Sequence, residues 1–339
     1  MIASLMHGAY MYIFLIVGFV LLIKGADYFV DGASSIAKIL KVSPLIIGLT
    51  IVAFGTSFPE LAVSVTSAIK GQNALAVGNV VGSNIFNTLM VLGFSAIFMP
   101  VVVQKNLIQK DVPFNVLISF VLFVIAFDVF FGSGLSGAVS DNESAKIQNI
   151  LSRGDGIVLL AFFVIYMFYM IFSALGSRRE YEAQTEGDIK QMGVAKSVLF
   201  TILGAVAIVV GGDITVDSAT AIALHWGMSE TLVGLTIVAV GTSLPELVTS
   251  IVAAHKGECD LAVGNVVGSN IFNILLILGV SSVINPIEST DPNLLVDMLV
   301  MLAVSVLCFA VCLPKKIRRW EGAVMIACYI GYMVYIILR

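Results

Sequence analysis

Two short stretches of this 339-residue chain place an acid directly after a proline within long apolar runs: Gly55-Thr56-Ser57-Phe58-Pro59-Glu60 and Gly241-Thr242-Ser243-Leu244-Pro245-Glu246. Proline lacks an N–H and clashes with the preceding turn, so each break frees carbonyls that hydrocarbon cannot satisfy. An ionised acid at mid-bilayer depth costs about 2.5–3.5 kcal/mol on insertion scales. Two such acids invite a cation. Read locally, Ser57-x-x-Glu60 and Ser243-x-x-Glu246 are also capping boxes that restart a kinked helix, a role that leaves the depth of the carboxylates unexplained.

Helical spacing adds ligands. Thr56, Glu60 and Ser64 fall at i, i+4 and i+8, as do Thr242, Glu246 and Ser250, giving each span one polar stripe. The next apolar run of each half carries Asn79, Ser83 and Asn87, matched by Asn265, Ser269 and Asn273, on one face. Gly78 with Gly82 and Gly264 with Gly268 lie beside that face and read as close helix packing. The polar stripe then lines a site of carboxylates, amides, hydroxyls and free carbonyls, all hard oxygen donors. Calcium takes six to eight such ligands in flexible geometry, whereas magnesium demands a tight octahedron. Calcium is therefore the first expectation, with sodium competing for the same oxygens, and two carboxylates balance one Ca²⁺.

The elements that position these residues follow from composition. Apolar residues make up 59% of the chain and charged residues 12%, against roughly 25% charged in soluble domains, so an ordinary water-soluble enzyme is excluded. A net charge of -4 offers no basic patch for nucleic acid. Cys259, Cys308, Cys312 and Cys328 show no CxxC spacing and read as small buried hydrophobes. Ten windows reach the roughly 20 residues that cross a bilayer: approximately 9–34, 44–69, 73–98, 113–132, 156–175, 194–223, 230–254, 260–284, 294–313 and 321–338. The first is too long for a signal peptide, lacks a basic leader and has no A-x-A site after it, so it is expected to stay in the mature protein. Six of the eight prolines fall at window edges; Pro59 and Pro245 do not.

With the N-terminus outside, 13 of the 18 Lys and Arg residues fall in inner connections, and both termini are expected to face away from the cytoplasm. The charged stretch between Arg178 and Lys196 reads as a cytoplasmic linker, and the Gly-, Ser- and Asn-rich outer loop from Gly132 to Arg153 as flexible.

Self-comparison is the most specific signal. Gly48–Gly93 aligns with Gly234–Gly279 at a constant offset of 186 without a gap, and 32 of 46 positions are identical. The match continues upstream through Gly25 and Gly211, Asp27 and Asp213, Asp31 and Asp217, and Ala33 and Ala219. Five spans per half, an odd number, turn the copies upside down relative to each other, an architecture whose substrate sites lie near the midplane on discontinuous helices. The expected fold is thus an all-α integral membrane protein of ten transmembrane helices in two inverted five-helix repeats. Residues 1–135 hold four spans of the first repeat, 136–177 the outer loop and fifth span, 178–196 the linker and 197–339 the second repeat. A duplicated bundle without a transport role is the plain alternative.

At the paired GTSxPE and GNxxGSNxxN segments the sequence resembles the calcium/cation antiporter superfamily, and specifically a prokaryotic sodium/calcium exchanger, over nearly the whole chain. That resemblance implies Glu60 and Glu246 as central calcium ligands, with Thr56, Thr242 and the backbone carbonyls of Ala53 and Ala239 beside them. It implies Ser57, Ser243, Ser83 and Ser269 in flanking sodium sites, Asn87 and Asn273 completing the centre, and the first and sixth spans as sliding gate helices. Some members carry Asp at the position of Asn273, linked in relatives to potassium use; Asn in both repeats argues against a potassium requirement. The implied activity is secondary antiport of Ca²⁺ against Na⁺ in the cell membrane, with no enzymatic activity, no cofactor and no obligate protein partner. A Ca²⁺/H⁺ exchanger fits the same two glutamates, because desolvated carboxylates take up protons readily. A passive cation channel is the rival from another class.

Other polar residues invite plainer readings. Lys24 and Asp27 sit at i, i+3 and pair, and Asp31 belongs to a solvated helix end. His7, His225 and His255 read as interfacial, and Tyr166, Tyr169, Tyr329 and Tyr332 as packing or lipid-facing groups.

Overall fold

The computed structural model describes residues 10–127, 148–184, 192–227, 239–289 and 293–338. From the N-terminus, α1 (Tyr10–Leu40) leads into a bent pair, α2 (Pro44–Thr56) and α3 (Phe58–Ile69), whose axes differ by 49°. Then come α4 (Leu75–Phe98), α5 (Leu107–Ala126), α6 (Arg153–Gln184) and α7 (Val194–His225). After them lie α8 (Leu244–His255), α9 (Cys259–Ile284), α10 (Asn293–Cys312) and α11 (Arg319–Leu338). Seven of these are long and apolar enough to cross a bilayer, and the bent pair makes up to eight. The two further expected spans coincide with α8, whose upstream residues 228–238 lie outside the described set, and with α10, whose apolar core Val296–Cys312 is shorter.

Burial sorts the helices. The apolar windows of α4 and α9 are 78% buried, whereas those of α6 and α11 are 17% buried and present their apolar side chains outward, as lipid-facing helices do. The two central helices carry Leu, Ile, Val and Phe on the sides away from the polar stripes, and these join one large cluster with α5 and α10. Phe86 meets Tyr329 edge-on at 5.3 Å, and Phe272, 186 positions later, meets Phe163 edge-on at 5.1 Å.

The α1–α7 pair is held by small residues. A Cβ added at Gly25 would lie 2.9 Å from the Ile208 nitrogen, one at Gly32 2.6 Å from the Thr201 nitrogen, and one at Gly204 2.5 Å from the Phe29 nitrogen. Contacts that rise along one helix fall along the other, so the two run antiparallel with their backbones in direct contact. Ser35 and Ser197 close the seam with a 2.7 Å hydrogen bond. Gly18, Gly25 and Gly32 recur every seven residues, as do Ser197, Gly204 and Gly211.

Several expectations shift. The fourth span starts at Leu107, not near residue 113, through a π turn over Leu107–Asp111 that absorbs Lys110 and Asp111; Pro113 takes a first-turn position in the α-helix that follows. In the outer loop expected to be flexible, a strand over Gln148–Leu151 pairs antiparallel with one over Ile287–Ser289, while residues 132–147 lie outside the described set. A second short pair joins Val101–Val102 to Lys316–Ile317. Helix α6 continues to Gln184, into the stretch read as linker, whose residues 185–191 are not described. Cys308 and Cys312 are buried as expected, but Cys259 is only partly covered and Cys328 is exposed on α11, because an apolar environment for a thiol here includes lipid as well as protein. His225 and His255 are exposed at helix ends; His7 lies outside the described residues. Tyr166 and Tyr329 are packing groups, at 2% and 8% exposure.

Candidate functional site

The break between α2 and α3 is centred on Ser57, whose φ of -82° and ψ of 8° leave the helical region while its N–H still reaches the Ala53 carbonyl at 3.0 Å. Pro59 then sits in the first turn of α3, where a missing N–H costs nothing, and Glu60 shares that turn. The second half repeats this. Ser243 has φ -94° and ψ 6°, and Pro245 and Glu246 lie in the first turn of α8. Each acid therefore stands at a helix N-terminus, where the free N–H groups and the helix dipole favour negative charge.

The capping-box reading does not hold. Neither serine caps its own helix through its side chain. Ser57 instead donates across the molecule to Glu246 Oε1 at 2.9 Å, and Ser243 donates to Glu60 Oε1 at 2.9 Å. Each carboxylate also faces a serine of the following helix, Ser83 to Glu60 at 3.2 Å and Ser269 to Glu246 at 3.5 Å. Ser243 and Ser83 are themselves 2.9 Å apart. Both glutamates are fully buried.

The two polar stripes of each half meet as the spacing predicts. Asn79 donates to Ser64 at 3.0 Å and to the Glu60 carbonyl at 3.4 Å; Asn265 donates to Ser250 at 2.9 Å and to the Glu246 carbonyl at 3.5 Å. The threonines cross between halves, Thr56 to Asn265 Oδ1 at 2.9 Å and Thr242 to Asn79 Oδ1 at 3.3 Å. The Thr56 hydroxyl also lies 3.3 Å from the Ala53 carbonyl, while Ala239 opens the short helical turn before Ser243.

Asn87 and Asn273 each begin a π segment, Asn87–Val91 and Asn273–Leu278, the kind of local widening that often marks a functional site. Asn273 donates to Ser83 at 3.1 Å and to Asn84 Oδ1 at 2.9 Å, and Asn87 Nδ2 lies 3.5 Å from Ser83. Sequence reasoning passed over Asn84 and its counterpart Asn270, which donates to Thr88 at 2.9 Å. Both are buried, and the signal was present in the repeated Gly-Ser-Asn triplet. Gly264 and Gly268 play the packing role expected of them, with added Cβ atoms falling 2.8 Å from the Leu45 carbonyl and 2.7 Å from the Ala53 side chain.

Four oxygens on residues singled out from the sequence have no hydrogen-bond partner among the described residues, Glu60 Oε2, Glu246 Oε2, Asn87 Oδ1 and Asn273 Oδ1, and Asn270 Oδ1 beside them is unpaired as well. Leaving buried acceptors unpaired costs on the order of 1–3 kcal/mol each, more when charged. All four are hard donors suited to a cation. Among the described residues no group of three or more His, Cys, Asp or Glu gathers to hold a metal, so the centre offers two carboxylates with amide and hydroxyl oxygens. Lys24 and Asp27 pair at 3.7 Å, and Asp31 receives Lys256 at 2.7 Å, so these charges of α1 have partners of their own.

A family profile described as sodium/calcium exchanger protein matches residues 10–172 and 196–338. The chain is 37% identical over 330 residues to the putative antiporter CaxA of Alkalimonas amylolytica, covering 94% of this chain and 96% of that protein. It is 35% identical to the sodium/calcium exchanger MaX1 of Methanosarcina acetivorans, covering 95% and 97%. Its fold matches a structure of the sodium-calcium exchanger NCX_Mj soaked with Na⁺ and Ca²⁺, with a TM-score of 0.78, 33% identity and coverage of 96% and 98%.

Proposed function

Because the chain belongs to the sodium/calcium exchanger family, we propose that it is a secondary antiporter exchanging Ca²⁺ for Na⁺ by alternating access. It is a multi-pass membrane protein. In this proposal ten spans form two inverted five-helix repeats in the cell membrane, with both termini outside the cytoplasm.

The transported calcium ion sits between Glu60 and Glu246, whose two negative charges balance it. The unpaired Glu60 Oε2, Glu246 Oε2, Asn87 Oδ1 and Asn273 Oδ1 carry this assignment, since four buried hard oxygens require a cation or protons. Thr56, Thr242 and the carbonyls of Ala53 and Ala239 complete the calcium set. Sodium ions take flanking positions at Ser57, Ser243, Ser83 and Ser269, each of which already reaches a glutamate oxygen. Because both ions use the same two carboxylates, their occupancy is mutually exclusive, which is the requirement for exchange. Antiparallel α1 and α7, in contact along a seam of small side chains, act as the sliding gate.

Vesicles loaded with Na⁺ and diluted into Na⁺-free medium containing radioactive calcium test the proposal. Uptake that needs the sodium gradient is expected. Uptake following only a pH gradient would assign Ca²⁺/H⁺ exchange, and gradient-independent leak would assign a channel.

A further inference from the structure

A second group of buried polar atoms lies where α5 meets α6, and the central site uses none of it. Asp111 is 3% exposed, Asn115 1% and Tyr166 2%. Asp111 Oδ1, both side-chain polar atoms of Asn115 and the Tyr166 hydroxyl have no hydrogen-bond partner among the described residues. None of the ion pairs among the described residues involves Asp111. Asp111 and Asn115 are one helical turn apart on α5, and their neighbours Phe114 and Lys110 contact Tyr166 and Tyr169 of α6. Lys110, the nearby cation, has its amine 5.9 Å from the centre of the Tyr169 ring. Phe114 stacks on Tyr166 at 5.3 Å and fixes the phenol in place.

Asp111 also ends a π segment, Leu107–Asp111. Of the other π segments among the described residues, two begin at Asn87 and Asn273 and one, Gly48–Val52, leads into Ala53 and the break at Ser57. All three of those serve the central site.

The second half of the chain supplies an internal control. Asp111 and Asp297 are separated by the repeat offset of 186, as are Asn115 and Met301. For the helices that follow, Gly279 packs on Gly156 and Leu160, and its counterpart Gly93 packs on Gly322 and Ile326. That registers Tyr166 with Tyr332, both pairs and the tyrosines being 166 positions apart. In the second half Tyr332 donates to Asp297 Oδ1 at 3.0 Å, and methionine replaces the amide. The same acid and phenol are thus bonded to each other in one half, and in the other are left unpaired beside an extra carboxamide.

We propose that Asp111, Asn115 and Tyr166 form a second cation site that takes one monovalent cation, sodium first. The carboxylate, carboxamide and phenol oxygens are hard donors, and a single carboxylate balances a single positive charge, whereas a divalent ion would leave an excess charge buried. This site stands independently of the exchange chemistry at Glu60 and Glu246.

The test uses the full chain carrying Glu60→Gln and Glu246→Gln, which removes the charge of the central site, and follows thermal unfolding as NaCl replaces choline chloride at constant ionic strength. A saturable sodium-dependent rise in melting temperature is expected. Adding Asp111→Asn should abolish it, and adding Asp297→Asn should leave it. No sodium-dependent rise in the doubly substituted background, a rise that survives Asp111→Asn, or a response to pH without any to sodium would overturn the proposal. If Asp111→Asn does not fold, Asn115→Met, the residue the second half carries, is expected to weaken the apparent sodium affinity roughly tenfold; an unchanged affinity would count against the site.

Discussion

Ser57 donates its hydroxyl to Glu246 Oε1 at 2.9 Å, a bond that ties the break of one half to the acid of the other, and Ser243 returns it to Glu60 at the same distance. Neither acid is positioned by its own half alone. A hydrogen bond to a charged buried group contributes about 1.5–3 kcal/mol, so Ser57→Ala and Ser243→Ala should each weaken ion affinity by roughly ten- to a hundredfold. Apparent affinities from sodium-driven calcium uptake measure this, and the two variants are expected to behave alike; an effect confined to one would contradict the reciprocal arrangement.

Gly204 lies so close to α1 that an added methyl group meets the Phe29 backbone at 2.5 Å. Gly204→Ala should destabilise the protein by about 1–3 kcal/mol, the usual cost of overpacking, and slow exchange by separating α1 from α7, the proposed gate. Gly176, whose added Cβ meets nothing within 4 Å among the described residues, is the control. Gly176→Ala is expected to be neutral or slightly stabilising in thermal unfolding.

Lys256, at the end of α8, reaches Asp31 at 2.7 Å, and Asp27 at 3.5 Å, on α1. The lysine side chain is 25% exposed and Asp31 48%, so solvent screens the pair and its coupling should be modest, about 0.2–1 kcal/mol. A double-mutant cycle of Lys256→Met and Asp31→Asn, read by thermal unfolding, should return that coupling. A cycle with no coupling would show that the contact does not tie α1 to α8.

How much of this was legible in the sequence divides along physical lines. The polar stripes were readable because a helix puts i, i+4 and i+8 on one face, and Ser64 with Asn79 and Ser250 with Asn265 meet as that period requires. The breaks at Pro59 and Pro245 were readable because proline cannot donate. What Ser57 and Ser243 do was not legible, since local spacing favoured a cap and the true partner is 189 or 183 positions away. The π turn at Leu107–Asp111 was not legible for a related reason: charged residues look like a span edge, whereas the protein buries Asp111. The seam of α1 and α7 was legible in a seven-residue period of small side chains, but an apolar run of membrane length hides such a period behind its hydropathy.

Glu60→Gln and Glu246→Gln, each assayed alone for sodium-driven calcium uptake in sealed vesicles, test the central claim most directly. Each substitution keeps the shape of the side chain and removes its charge. The expected result is a folded, monodisperse protein with exchange abolished in both variants; exchange at the parental rate in either one would contradict the assignment of the two acids to a single calcium ion.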